Sequence, residues 1–283
     1  MDRLTELVTG TKIPVGSTAK AAFDWLNAHG AFIFNAISGA LDWLINAILA
    51  VLEYPHPLVL TLIAVLLTWA LQRSLRTCLL IALGFLFILN QGYWDETMQS
   101  LTLVLAACVV CMALGVPLGI AAAHRPRLYA WMRPVLDLMQ TLPTFVYLIP
   151  AIVFFGIGMV PGLIATVIFV LPAPIRLTHL GISGTPLALV EAGTAFGATP
   201  RQLLWKIELP SALPQIMAGL NQTIMLSLSM VVIAALVGAS GLGVPVVRAL
   251  NSVNTALGFE SGIIIVVVAI MLDRMLRVKR HDD

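Results

Sequence analysis

Residues 97–123 form a run of 27 side chains without a single Asp, Glu, Lys or Arg. A helix needs about 20 predominantly apolar residues to cross a hydrocarbon core of about 30 Å, so this run reads as a membrane span. Six more apolar runs accompany it: Leu58–Leu71, Thr77–Asn90, Pro143–Ile157, Met159–Ile175, Leu213–Val237 and Gly258–Leu272. The first two are short and separated by Gln72-Arg73-Ser74-Leu75-Arg76. One helix through both would be far longer than a bilayer is thick, so a tight hairpin is expected. The bulk numbers agree: 59% of residues are hydrophobic, 11% are charged and the mean hydropathy is +0.97. Soluble domains carry about a quarter charged residues. The expected fold is an all-α integral membrane protein with about seven transmembrane helices.

Basic residues give the orientation. With the loop after the fifth span on the cytoplasmic side, that side collects Arg73, Arg76, Arg125, Arg127, Arg133, Arg176, Arg201, Lys206, Arg274, Arg277, Lys279 and Arg280. The other side keeps Arg3, Lys12, Lys20 and Arg248. Twelve against four follows the positive-inside rule and predicts an external N-terminus and an internal C-terminus. Residues 1–30 contain Asp2, Glu6 and Asp24 and do not read as a signal peptide. Residues 1–56 are expected to form an extracytoplasmic tail. Within it, residues 31–52 place Phe34, Ile37, Leu41, Leu44, Ile45 and Ile48 at helical spacing, with Asn35, Ser38, Asp42 and Asn46 between them. Asp42 is costly at mid-bilayer, so this segment reads as an amphipathic helix rather than an eighth span. It either lies on the outer surface or packs on the bundle. Residues 57–283 make up the transmembrane part.

One polar island interrupts the apolar pattern at residues 185–210. Thr185-Pro186 and Thr199-Pro200 each present a capping residue followed by proline, a favoured helix opening. Gly197 falls where the first helix stops, and Pro210 is expected to end the second. On the first helix Leu189, Ala192, Gly193 and Phe196 share one face. Small residues beside one large aromatic suit a helix that docks into a groove on another protein. The same face also suits a loop helix that packs on its own bundle.

Glu191-Ala192-Gly193, three residues, Gly197, nine residues, then Ile207-Glu208-Leu209-Pro210 resembles the EAA loop of ABC importer permeases. Gly193 departs from the alanine usual at that position. The stretch from Asp137 through Gln140, Thr141 and Pro143 to Pro150 is similar to the permeases of glycine betaine, proline betaine and choline importers. So are Asn221-Gln222-Thr223, Leu228-Ser229-Met230-Val231-Val232-Ile233-Ala234 and Leu272-Asp273-Arg274. The resemblance implies a type I importer permease fold, with Glu191, Ala192, Gly193, Phe196, Gly197, Ile207, Leu209 and Pro210 coupling to an ATPase. It also implies a permease homodimer, two copies of a separate ATP-binding subunit that holds ATP and Mg, and an external solute-binding protein. The implied place is the bacterial cytoplasmic (inner) membrane, and no cofactor is expected on this chain. An ABC permease for another solute, such as an amino acid, is the alternative within the class.

Polar residues inside spans either line a path or bond a neighbouring helix. Asn221, Gln222, Ser229 and Met225 crowd the sixth span, a density that favours a polar or water-reached face. Phe145 and Tyr147 offer either aromatic faces to a trimethylammonium group or ordinary packing. Gly238, Gly241 and Gly243 after the sixth span form either an external gate or a tight turn. Gly115 and Gly119 are spaced for helix contact, and Asp137 for capping or a salt bridge. Cys108 and Cys111 lack the companions a metal or redox site needs. No H-E-x-x-H, nucleophile elbow or phosphate-binding G-x-x-x-x-G-K-[ST] occurs, so the chain is expected to be a translocation subunit rather than an enzyme. Nearly every charge lies at a loop or helix end, unlike a secondary transporter working alone. Nothing in the charge pattern suggests nucleic acid.

Overall fold

The structure is a computed structural model that describes residues 14–276. Arg3, Lys12, Arg277, Lys279 and Arg280, which entered the charge count, lie outside the described residues. Among those described, the chain is helical with no strand. In order the helices are α1 (Val15–Glu53), α2 (Pro57–Gln72), α3 (Leu75–Asn90), α4 (Trp94–His124), α5 (Pro126–Thr141) and α6 (Thr144–Phe155). They continue with α7 (Met159–Val170), α8 (Pro172–Ser183), α9 (Leu187–Ala195) and α10 (Pro200–Leu203). A π-helical turn (Leu204–Glu208) then leads into α11 (Leu209–Ala235), followed by α12 (Gly243–Ser252) and α13 (Thr255–Leu276).

Every expected span has its helix. Arg73 takes a left-handed conformation (φ 45°), which folds α2 and α3 into the hairpin. Each arm has 16 residues, about 24 Å of rise. Gln72 Nε2 donates to the Met275 carbonyl at 3.0 Å, fastening the hairpin to α13. The expected fourth span lies in α6, which meets α5 at 98° around Leu142-Pro143. The fifth is longer than its apolar run, since α7 continues through Leu171 into α8 as far as Ser183.

The N-terminal helix begins at Val15, well before the expected residue 31. Residues 15–30 carry no proline and several good helix formers, so nothing stops it sooner. It is long and apolar enough to cross a membrane by length and composition. It also packs on α4, α6 and α7. Leu41, Leu44, Ile48 and Leu52 surround buried Ile45, and the Phe34 ring stacks on Phe154 at 4.5 Å. Asp42 accepts a bond from Asn46 Nδ2 at 3.0 Å on the same helix.

The centre of the bundle is α8, wedged between α4 and α11. Gly119 makes this possible. A methyl group there would stand 2.7 Å from the Ile175 carbonyl oxygen and 2.6 Å from Thr178 Cβ. Gly115 meets Pro174 in the same way. In a lipid medium such close backbone approach replaces the hydrophobic drive that assembles soluble bundles.

Candidate functional site

The polar island folds as a hinged pair of short helices hung beneath α8 and α11. Its first junction differs from expectation. Thr185 donates its backbone N–H to Ile182, finishing α8, and Pro186 occupies the position before α9. The Thr185 hydroxyl is buried without a hydrogen-bond partner rather than capping α9. The stop of α9 is as the sequence indicates. Gly197 is left-handed (φ 78°), its N–H reaches the Thr194 carbonyl, and the next N–H, of Ala198, reaches Gly193 at 3.0 Å. That double closure satisfies two of the last carbonyls of the helix. Thr199 then opens α10 through a reciprocal cap. Its hydroxyl accepts from Gln202 N–H, and its own N–H donates to Gln202 Oε1 at 2.8 Å.

Pro210 does not end the second helix. The chain instead widens into the π turn, where Leu209 N–H bonds back five residues to Leu204, and continues as α11. Pro210 has no N–H to give and its ring crowds the preceding turn, and a wider turn relieves that crowding.

These closures decide which way each residue of the elbow faces. Leu189, Glu191, Ala192 and Phe196 point away from the bundle, and Phe196 is 93% exposed. The Glu191 carboxylate has no partner among the described residues. Gly193 turns the other way. A methyl there would lie 2.5 Å from Ile207 Cδ1 and 2.7 Å from Leu203 Cδ2, so glycine lets α9 lie close on the following helix. Ile207 is half-buried under this contact, Leu209 packs with Ile182, Ala212 and Ile216, and Pro210 is exposed.

One polar pair braces the island and an ion pair joins α8 to α5, and neither pairing could be read from the sequence. Glu208, 13% exposed, meets His124 at the end of α4 at 2.8 Å. Arg176 on α8 meets Asp137 on α5 at 2.6 Å. Tyr129 and His179 stack between the same two helices, with ring centroids 3.7 Å apart.

The residues expected to line a path divide into separate groups. Gln222, Met225 and Ser229 lie on one exposed face of α11, at i, i+3 and i+7. Asn221 beside them is half-buried, and its Oδ1 has no hydrogen-bond partner. Ser229 donates to the Met225 carbonyl at 3.2 Å. Phe145 is exposed at the start of α6, whereas Tyr147 is buried. The Tyr147 hydroxyl donates to the Met139 carbonyl and so closes the bend between α5 and α6.

Gly238 and Gly241 have positive φ (85° and 120°) and open a turn clamped on both sides. Gly158 N–H donates to Val237 O at 2.9 Å, and Leu242 N–H to buried Ser100 Oγ at 2.8 Å. Gly243 begins α12 against the Val231 carbonyl. Cys108 and Cys111 are buried free thiols. Among the described residues no group of three His, Cys, Asp or Glu could hold a metal ion.

Residues 115–278 match the family described as binding-protein-dependent transport system inner membrane component. The chain belongs to that family. This inner-membrane component is similar along almost its whole length to curated relatives. It is 45% identical to the glycine betaine transport system permease protein OpuAB of Bacillus subtilis (strain 168), over 97% of this chain and 95% of the relative. Against the glycine betaine/proline betaine permease ProW of Escherichia coli (strain K12) the identity is 42%, over 96% of this chain and 77% of the relative. The glycine betaine/carnitine permease GbuB of Listeria monocytogenes (serotype 1/2a, strain 10403S) is 44% identical, over 93% and 94%. The inward-facing MetNI methionine ABC transporter shares the fold, with a TM-score of 0.58 at 23% identity, over 69% of this chain and 98% of that one. The permease is therefore a multi-pass membrane component with a type I importer fold.

Proposed function

We propose that this permease is the translocation subunit of an ATP-driven importer for a methylated-ammonium compatible solute: glycine betaine, proline betaine or choline. The observation that carries the reading is Phe196, presented almost fully exposed at the end of a helix closed by Gly197 and Ala198. An aromatic ring left in water forgoes about 1.5–3 kcal/mol that burial would supply. A docked ATPase subunit supplies that burial. The relatives' names support the solute class, since glycine betaine, proline betaine and carnitine all carry a methylated, permanently cationic nitrogen.

In this reading two copies of the chain form a closed pair, each docked to one of two ATP-binding subunits that hold ATP and Mg. An external binding protein delivers the solute. The N-terminus lies outside and the C-terminus inside, as the basic residues indicate. Nucleotide-driven closure of the ATPases moves α9. Gly193 holds α9 against Leu203 and Ile207, so the motion passes through the π turn into α11 and its face of Gln222, Met225 and Ser229. Polar side chains exposed at membrane depth are costly unless they meet water or another chain, and a path between two copies provides both.

The test is uptake by proteoliposomes that contain the permease, its ATPase and its binding protein, with labelled glycine betaine, proline betaine and choline offered in turn. Uptake of at least one that requires internal ATP is expected. Uptake without the ATPase, or none of any methylated-ammonium solute, overturns the proposal.

A further inference from the structure

The geometry points to Arg176 and Asp137 as positioning residues that carry motion from the coupling elbow to α6, the helix that presents Phe145. This inference rests on the ATP-driven reading above.

The elbow has two ways into the bundle. One is covalent and direct, through the π turn into α11. The other begins at α8, which ends only at Ser183, just before α9. Helix α8 has no covalent route to α6 except back through α7, because α6 precedes α7 in the chain. Besides the packing of α6 on α7, a lateral route runs through the Arg176–Asp137 pair. Arg176 Nη2 donates to Asp137 Oδ1 at 2.6 Å, joining α8 to the last turns of α5. The next contact starts two residues further along α5, where the Met139 carbonyl accepts the buried Tyr147 hydroxyl of α6. Elbow, α8, α5 and α6 thus form one connected series: the covalent junction between Ser183 and Leu187, then the Arg176–Asp137 pair, then the Tyr147–Met139 bond.

Holding the fold together does not explain the pair well. The Arg176 side chain is 34% exposed and that of Asp137 54%, and half-exposed ion pairs stabilise little. Such a short charge-assisted bond does supply direction, because it constrains one helix relative to another. The Tyr129–His179 stack lies between the same two helices and opposes rotation of α5 about that joint. Coupling along this series is a measurable interdependence of its two ends.

That measurement uses the full complex in proteoliposomes and records solute uptake and ATP hydrolysis together. The variants are Asp137→Asn, Arg176→Gln, Arg176→Lys and the exchanged pair Asp137→Arg with Arg176→Asp. The wild-type complex must first show ATP-dependent uptake. If it does not, the proposed function fails, independently of the pair. With wild type active, Asp137→Asn and Arg176→Gln are expected to assemble with the ATPase and hydrolyse ATP. Their uptake per ATP should fall about tenfold, within the usual range of coupling effects. Arg176→Lys should fall between these and wild type, and the exchanged pair should recover most of the loss. An unchanged uptake-to-hydrolysis ratio in both neutral variants overturns the inference. So does a fall that the exchanged pair fails to recover, or one that merely follows lost assembly.

Discussion

Glu208 stands 2.8 Å from His124, so the turn that feeds α11 is pinned to the far end of α4. The carboxylate is largely buried and the imidazole half-exposed, which makes the two ends of the contact unequal. Removing the ring leaves a buried acceptor without its partner, whereas neutralising the acid leaves an amide that still fits. His124→Ala is expected to destabilise the protein by about 1–3 kcal/mol and Glu208→Gln by less. Thermal midpoints of the purified protein check this, and equal midpoints in all three forms would remove the contact from the account.

Phe196→Asp places a charge where an apolar pocket is expected. Membrane insertion should be normal, because the side chain touches nothing in its own bundle. Affinity for the ATPase should drop by about 30-fold or more, the behaviour of a central anchor losing about 2 kcal/mol. Co-purification and a binding titration measure it, and wild-type affinity would show that docking uses another face.

Gly193 offers a graded series. Alanine puts a methyl against the tips of Ile207 and Leu203, which are free side-chain ends that can swing aside. It also gains about 1 kcal/mol of helix propensity, so Gly193→Ala should be close to neutral in stability and in ATPase binding. Gly193→Val adds branches that those tips cannot clear and should weaken both. A valine variant as good as wild type would contradict the close contact between α9 and the helix after it.

Gly119 faces backbone rather than flexible tips, so Gly119→Ala should cost about 1–3 kcal/mol through overpacking. Gly262 on α13 is the control, since a methyl there meets nothing within 4 Å. Gly262→Ala should leave the thermal midpoint unchanged or slightly raised. A Gly119→Ala midpoint that matched the control would argue against α8 lying in contact with α4.

Features set by short-range physics were legible in the sequence. Apolar runs longer than a bilayer half-thickness gave the spans, and Gly197 marked the end of α9 because few other residues tolerate that turn. Thr199 followed by Pro200 likewise announced a capped start, and the structure adds Gln202 as the reciprocal partner. The misreadings arose where one residue had two compatible uses. Thr185-Pro186 looks like a helix opening, yet the Thr185 N–H was already needed to finish α8. Pro210 looks like a terminator, but a π turn ahead of it accommodates the missing donor. Gly193 was grouped with the docking face by spacing alone, and only the neighbouring helix shows that it turns inward. Long-range pairings left no local trace. Glu208 and His124 are 84 positions apart and Arg176 and Asp137 39, and no periodicity links them.

The wide turn at Leu204–Glu208 stores one surplus residue at the root of a 27-residue rod. Regular winding advances about 100° and 1.5 Å for each residue. Were the surplus taken up, every side chain beyond it would rotate by nearly a third of a circle while the rod stayed intact. Gln222, Met225 and Ser229 would leave their present bearing together and Asn221, with its unsatisfied oxygen, would change its surroundings too. A small slip at the base would thus re-aim a whole polar stripe without breaking the helix that bears it.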